Sequence, residues 1–561
     1  MANNNSSIRN PILIIAIFGL TLVVILARLL YLSVLVADEY NADAKETRNR
    51  IYTIPAKRGT IYDRNGNILA VSVEKTNISC DPTQIEDVDD IAEKLVNALG
   101  GTKGDYIPSL TKENTRFSYI KKLADVDNAN KLKEIKKADT NELKGVFFET
   151  TYKREYPNGS IGGQIIGYCG SDGDGICGLE LYYNDELKGE DGQYAGEKGL
   201  FESPIPDSVE VNKQAKDGED LMISIDINLQ SQVEERVSKE VENIGGKRGN
   251  ATIMDSFTGE IYAMCSTPYF NPADTSNSET GSDTVSPIVQ SLEPGSVMKT
   301  VTAMGILDQG AMSMNDSVMC PLVLNADEYE ITDARERSAG NMTLDQIITI
   351  SSNIGISLCS DKIGAKGIAS NLEKSRLLQK TGVDFPGEAA GSVDDYLTWS
   401  NIQRYNVTFG QGIVVTPLEM LTFYSGICQN GTTPTPHFLI SKPQTSEVPK
   451  YDKHDLGYSE DSLTQMNEML RHVVDNNPTS KARIDGYEVC GKTATAEYTE
   501  NGKYVEGRYN LAFCGYLKNA TTNFSCYVGV TEVGIETGLT GMFSDIMKYA
   551  IDSYRVVPNA N

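Results

Sequence analysis

At 561 residues the chain is long enough for roughly three to five domains of ordinary size. Lysine and arginine total 51 against 77 acidic residues, and the formal net charge of −26 has the wrong sign for a protein that grips nucleic acid. Hydrophobic residues at 40% exclude a wholly disordered chain, a mean hydropathy of −0.30 excludes a polytopic membrane protein, and 10 cysteines with no C-x-x-C pair exclude a disulfide scaffold.

From Ile12 to Ala27 every residue is apolar or small, and after Arg28 the apolar run resumes through Val36. That length spans a bilayer, and it exceeds the ~7 to 15 residues of a signal-peptide core, although Ala42-Asp43-Ala44 resembles a cleavage site. The expectation is a retained anchor over 12–37 behind a short tail, 1–11, with the Arg28 stem snorkelling toward the interface. Arg9 precedes the segment and Lys45, Arg48 and Arg50 follow it, so a literal positive-inside count points the wrong way. Long carboxy-terminal domains are translocated largely regardless of such charges, and the count is given little weight.

Residues 38–220 are rich in charge and in short β-like runs, with a helical patch over Ile85 to Leu99, and read as a separate elongated module. Beyond 221 the patterns lengthen. Leu221 to Ile225 reads as a strand, and Asp226 to Val241 as an amphipathic helix burying Ile227, Leu229, Val233 and Val237. Ala251 to Met254 and Ile261 to Met264 flank a Ser256-Phe257-Thr258-Gly259 turn, a hairpin signal. Tyr509 to Tyr516 and Asn523 to Thr531 are two further strands, and a last helix runs from about Met542 to Tyr554. The layout predicts an α+β domain over 221–561, an antiparallel sheet flanked by helices with strands drawn from both ends of the region. The cysteines leave two readings open, buried thiols or a few bridges, with only Cys169 and Cys177 close in sequence.

The most informative stretch is Glu293-Pro294-Gly295-Ser296-Val297-Met298-Lys299, followed by an apolar run to Leu307. Pro and Gly set up a helix start with Ser296 in its first turn, and Lys299 is the one charge before Asp308. A buried, unpaired ammonium is costly, so this lysine is either paired or neutral and basic. The i, i+3 spacing puts it on the face of Ser296, a nucleophile beside its base at a helix amino terminus. Ser-x-x-Lys occurs four times in the chain; Ser72, Ser109 and Ser118 start the other three, in polar surroundings. Ser351-Ser352-Asn353 lies between apolar helical stretches, and Cys490-Gly491-Lys492-Thr493-Ala494-Thr495-Ala496-Glu497 reads as a strand. The ordered set Ser-x-x-Lys, Ser-x-Asn, Lys-Thr-x is the signature of penicillin-binding proteins and serine β-lactamases, with Ala494 standing where that pattern has Gly. Two decoys are rejected: Ser313-Met314-Asn315 follows the nucleophile helix too closely, and Lys380-Thr381-Gly382 runs into loop. His437, His454 and His472 read as packing or surface residues, since no Gly-x-Ser-x-Gly elbow or zinc helix accompanies them.

Beyond the trio, the sequence resembles class B penicillin-binding proteins over almost its whole length, most closely the monofunctional transpeptidases of division and sporulation. Arg58-Gly59-Thr60-Ile61-Tyr62-Asp63-Arg64-Asn65-Gly66, Arg154-Glu155-Tyr156-Pro157 and Gly175-Ile176-Cys177-Gly178-Leu179-Glu180 look like the pedestal motifs of that class. Asp255 with Thr258-Gly259-Glu260, Phe385-Pro386-Gly387-Glu388 and Phe409-Gly410-Gln411-Gly412 are similar to its catalytic-region motifs.

The resemblance implies the penicillin-binding and serine β-lactamase-like transpeptidase fold behind a β-rich pedestal of dimerisation type, with the tail inside and both domains outside the membrane. It implies a D,D-transpeptidase that crosslinks peptidoglycan stem peptides ending in D-Ala-D-Ala and is acylated by β-lactams, without metal or cofactor. Ser296 would be the nucleophile and Lys299 its base. Ser351 and Lys492 would relay a proton to the leaving amine, and the Lys492 charge would help keep Lys299 neutral. Backbone N–H groups of Ser296 and Thr495 would form the oxyanion hole, Asn353 would hold the stem-peptide amide, and Thr493 and Thr495 its carboxylate. A polytopic membrane glycosyltransferase and divisome proteins are the implied partners, and Ser351-Ser352-Asn353 with the chain length leans toward septation. The rivals are a D,D-carboxypeptidase or β-lactamase-type hydrolase, and a non-catalytic β-lactam sensor or scaffold disabled by Ala494.

Overall fold

A computed structural model describes residues 9–35, 49–139, 141–197, 210–334, 336–477, 480–500 and 503–559. An apolar helix, Arg9–Leu30, continues as a π-helical turn over Tyr31–Leu35. Leu13–Val34 is the one span among the described residues that is long and apolar enough to cross a membrane, and its side chains are exposed in the absence of lipid. The Ala42-Asp43-Ala44 stretch lies outside the described residues.

Two compact units interleave along the chain. The smaller comprises 1–57, 73–153 and 189–217, and the larger 58–72, 154–188 and 218–561. In the smaller unit, helices Val88–Leu99, Lys103–Leu110 and Val126–Ala138 pack Ile91, Leu95, Tyr106, Leu110, Ala129 and Leu132 around Ile78 and Val146. Asp87 starts the first of these helices by accepting from the Asp90 N–H, and Gly100 ends it at φ 78°. A separate three-stranded sheet joins Asn49–Ile54, Gly192–Glu197 and Glu210–Lys213.

The larger unit is built on a five-stranded antiparallel sheet of β1 (Arg248–Asp255), β2 (Ile261–Ser266), β3 (Glu488–Glu500), β4 (Lys503–Lys518) and β5 (Phe524–Val533), in the order β2-β1-β5-β4-β3. Strands thus come from both ends of the region, as the sequence pattern predicts. Both faces of the sheet are covered, so the strands β1, β2 and β5 are buried along almost their whole length. On β4, Leu511 and Phe513 join one core with Leu229, Val233 and Val237 of helix α1 (Ile227–Ile244), whereas Ala512, Cys514 and Tyr516 join the other. Period-2 alternation divides them.

The second face carries α2 (Met298–Asp308), α3 (Leu344–Ile350), α4 (Asn353–Ser360), α5 (Pro417–Cys428) and α6 (Glu460–Asp475); α7 (Thr540–Tyr554) joins α1 on the first. Asp226 caps α1 by accepting from the Asn228 and Leu229 N–H groups. All ten cysteines are free thiols, eight of them buried and Cys169 and Cys177 half-buried, which answers the choice left open by sequence.

Three motifs that are far apart in sequence meet inside the larger unit. The buried Glu180 carboxylate accepts from Arg58 Nε at 2.6 Å and from Arg154 Nε at 2.7 Å. Burial pushes the Glu180 carboxyl up, but the Arg154 and Arg58 guanidiniums outweigh it and hold the group below the ordinary carboxylate range. Arg64 of the first motif pairs with Glu260 at 3.0 Å and lies over the Tyr262 ring at 3.6 Å, fastening that motif to β2.

Candidate active site

Gly295–Val297 form a 3₁₀ turn that leads straight into α2, so Ser296 sits half-buried one turn ahead of Lys299. Two glycines make that turn possible. Gly295 has φ 58°, and a side chain on Gly410 would come within 2.2 Å of the Gly295 carbonyl. The Gly295 N–H donates to the Gly410 carbonyl at 3.1 Å, and the Gly412 N–H donates to Glu293 Oε1 at 2.8 Å. The Phe409 to Gly412 motif is therefore a mould for the turn that carries Ser296. From behind, Tyr424 on α5 donates its hydroxyl to the Val297 carbonyl at 3.1 Å and lies 2.7 Å from Thr300 Oγ1.

Lys299 and Lys492 are both 0% exposed, and they converge on one residue. Lys299 Nζ donates to the Ser351 carbonyl at 2.6 Å and to Ser351 Oγ at 3.1 Å; Lys492 Nζ donates to the same Oγ at 2.9 Å and to the Thr493 carbonyl at 3.2 Å. Burial drives the Lys299 pKa well below the lysine range, the Lys492 charge lowers it further, and Asp333 opposes both. Burial and the neighbouring ammonium thus both disfavour the protonated form of Lys299.

Ser351 follows the last turn of α3 at φ 63°, a left-handed conformation that costs a non-glycine residue roughly 1–3 kcal/mol. The bend turns its carbonyl and hydroxyl together toward the lysines. Ser352 then caps α4, accepting from the Gly355 N–H at 2.8 Å, and Asn353 Nδ2 donates to the Thr332 carbonyl at 3.1 Å.

On β3, Thr493 is half-buried and Thr495 exposed, while Lys492, Ala494 and Ala496 between and around them are buried. The Ala494 methyl packs in the core opposite Ala512 of β4, not on the face of the two threonines. The strand runs close beside the Ser296 turn, since a Cβ on Gly295 would meet the Ala496 Cβ at 3.0 Å and the Thr495 carbonyl at 3.4 Å. β3 ends the sheet, so one of its edges carries no strand partner among the described residues.

The rejected decoys sit apart from this cluster: Ser313 donates its N–H to Asp316 at 2.7 Å in a turn, and Thr381 binds Glu388 through its N–H and hydroxyl at 2.6 Å in a loop. Of the histidines, His437 is buried and stacked on Tyr451 at 3.7 Å and His472 Nδ1 lies 3.0 Å from Asp345. The site thereby brings together Lys299 from α2, Ser351 from the bend after α3 and Lys492 from β3, with Ser296 in the turn that leads into α2.

The penicillin binding protein transpeptidase domain matches residues 249–547, and the penicillin-binding protein dimerisation domain matches 53–223. The chain is a class B penicillin-binding protein. The peptidoglycan D,D-transpeptidase FtsI of Escherichia coli is 28% identical over 91% of this chain and 85% of its own length, and stage V sporulation protein D of Bacillus subtilis 27% identical over 94% and 83%. Penicillin binding protein 2X of Streptococcus thermophilus superposes with a TM-score of 0.78 at 22% identity, covering 90% of this chain and 80% of that one. Penicillin binding protein 3 of Mycobacterium tuberculosis, solved with aztreonam, superposes with a TM-score of 0.69 at 23% identity, covering 91% and 98%. The penicillin-binding protein carries a transpeptidase domain, and its fold is that of peptidoglycan- and β-lactam-binding transpeptidases.

Three contributors escaped the sequence reading. Tyr424 and Gly410 brace the Ser296 turn, and Asp333 braces the Ser352 cap, accepting from Ser352 Oγ at 2.8 Å and 3.0 Å with its two oxygens. Gly410 was visible as part of a motif, but its role depends on a backbone contact no spacing rule reveals. Asp333 lies in a charged loop where nothing local marks it.

Proposed function

We propose that this transpeptidase crosslinks peptidoglycan through an acyl-enzyme on Ser296. Ser296 attacks the carbonyl between the two terminal D-alanines of a donor stem peptide, the terminal D-alanine leaves, and an acceptor amine takes the acyl group. Lys299, neutral through burial, removes the serine proton. Ser351 and Lys492 return a proton to the departing amine, and Lys492 also keeps Lys299 uncharged. The Ser296 and Thr495 N–H groups form the oxyanion hole, each donor worth ~2.7–4 kcal/mol in such sites. Asn353 holds the stem-peptide amide, and Thr493 and Thr495 bind the terminal carboxylate beside the open edge of β3, where an extended peptide can add as a strand.

One observation carries the reading: a single hydroxyl, Ser351 Oγ, lies within 3.1 Å of Lys299 Nζ and 2.9 Å of Lys492 Nζ. We place the short amino-terminal tail in the cytoplasm and the regions that follow the anchor, 38–220 and 221–561, outside the membrane, with a polytopic glycosyltransferase and other division proteins as partners. The test is incubation of the full chain in detergent with a fluorescent penicillin. A stable covalent adduct that Ser296→Ala abolishes is expected. An adduct that survives Ser296→Ala overturns the assignment, and rapid release of the adduct would make the enzyme a hydrolase.

A further inference from the structure

The Ser351-Ser352-Asn353 corner is held from behind by a two-residue brace that no motif of the sequence contains. Asp333 Oδ1 accepts from Ser352 Oγ at 3.0 Å and from the Ile354 N–H at 3.0 Å, while Oδ2 accepts from Ser352 Oγ at 2.8 Å and Arg337 Nε at 2.5 Å. Arg337 spends its other donors on backbone, giving Nη1 to the Cys320 and Ser338 carbonyls at 3.2 Å and Nη2 to the Pro321 carbonyl at 2.6 Å. The residue before Asp333 completes the grip, since the Thr332 carbonyl receives Asn353 Nδ2. One short segment thus holds the second and third residues of the motif, and the first is the one bent into the left-handed region with both lysines on it.

We propose that Asp333, locked by Arg337, is a positioning residue for the transpeptidase reaction, fixing Ser351 between Lys299 and Lys492 through the Ser352 cap. A carboxylate suits the task because both oxygens accept: one oxygen takes the helix N–H and the other the guanidinium, and Ser352 Oγ reaches both. An amide at this place would turn an NH₂ toward Arg337 Nε, donor against donor, and release the clamp. Asp333 also acts on Lys299 electrostatically, as the one anion opposing the combined effect of burial and Lys492. The charged groups acting on Lys299 are therefore Lys492 from β3 and Asp333 from the loop, while the bend after α3 presents it with the neutral Ser351.

The proposal rests on the assignment of Ser296 and Lys299 above. Its test is the second-order rate of acylation by a fluorescent penicillin against pH, measured on the full chain and on Asp333→Asn, Ser352→Ala and Arg337→Ala, with Ser296→Ala as reference. Loss of the anion lets Lys299 shed its proton at lower pH, so Asp333→Asn is expected to shift the acid limb of the profile to lower pH. The same variant is expected to slow acylation by ~10²-fold at the plateau, the loss that misplacement of a catalytic group brings. Ser352→Ala keeps the carboxylate, and it should slow acylation without moving the limb. A structural defect alone would lower the whole profile and move nothing. An Asp333→Asn profile with unchanged plateau and limb overturns the proposal, as does a lowered plateau with an unmoved limb. If Asp333→Asn fails to fold by circular dichroism, Arg337→Ala and Ser352→Ala decide: plateau rates equal to the parent's overturn it. Loss of the adduct in Ser296→Ala beside an unaffected Asp333→Asn separates failure of this inference from failure of the underlying mechanism.

Discussion

The larger unit buries two pairs of cationic side chains, and the contrast between them shows what separates a structural charge cluster from a chemical one. Arg58 and Arg154 close on Glu180, whose two oxygens take one guanidinium Nε each. Lys299 and Lys492 close on the Ser351 hydroxyl, and among the described residues no carboxylate lies within ion-pair distance of Lys299. In the first cluster two guanidiniums share one carboxylate, which favours its ionised form. In the second, burial and like charge disfavour the charged form of Lys299, the condition that the proposed role as base requires. Guanidiniums cannot be emptied of their proton in this way, which is why the first pair is arginine and the second lysine.

Substitution should separate the two clusters cleanly. Lys299→Met, which keeps the volume and removes the base, is expected to slow penicillin acylation by ~10²–10⁴-fold while leaving the melting temperature no lower than the parent's. Glu180→Ala should do the reverse, leaving two buried guanidiniums unanswered at ~3–5 kcal/mol of stability, read as a fall in the urea midpoint, with the acylation rate of the folded protein unchanged. Equal stability losses in the two variants would erase the distinction.

pH sharpens the same comparison. The Glu180 carboxyl is depressed in the folded state, so its contribution to stability is complete above the unfolded carboxyl pKa of about 4.3 and is lost as pH falls through the folded value. Glu234 on α1 behaves oppositely. Burial raises it to about 7 against hydrogen bonds from Gln230 Nε2 and the Gly162 N–H, both at 2.8 Å. Its contribution is complete below about 4.3 and lost as pH rises toward about 7. Glu234→Gln keeps an acceptor for both donors, and it should flatten the melting temperature between those pH values. Thermal scans of parent and variant across that interval check it, and parallel curves would count against the assignment.

How much of this was legible in sequence follows from the range of the contacts. Ser296 and Lys299 are three residues apart on one helix, and the buried strand around Lys492 announces itself by its apolar alternation, so local rules suffice for both. Ser351 was legible as a polar knot, but its left-handed bend was not, because φ depends on what grips Ser352 and Asn353 from Thr332 and Asp333. The Glu180 cluster was least visible. Its three members sit in motifs that read as one elongated module, yet 58–72 and 154–188 belong to the larger unit, and only tertiary contact reveals that arrangement.

The smallest expected effect concerns Ala494, which stands where the family pattern has Gly and adds one methyl to the strand. The methyl is 4% exposed in the core, while Thr493 and Thr495 occupy the alternate positions of β3. Strand alternation puts it with Lys492 and Ala496 on the buried face of β3, where it packs against Ala512 and its volume is already taken up by the core. Ala494→Gly should therefore leave the acylation rate at the parent's value and cost about 0.5–1 kcal/mol in stability, the usual penalty for glycine inside a strand. Acylation kinetics and urea unfolding on one preparation measure both. A faster acylation in Ala494→Gly would mean that the methyl does reach the bound ligand, and that the buried side of β3 takes part in recognising it.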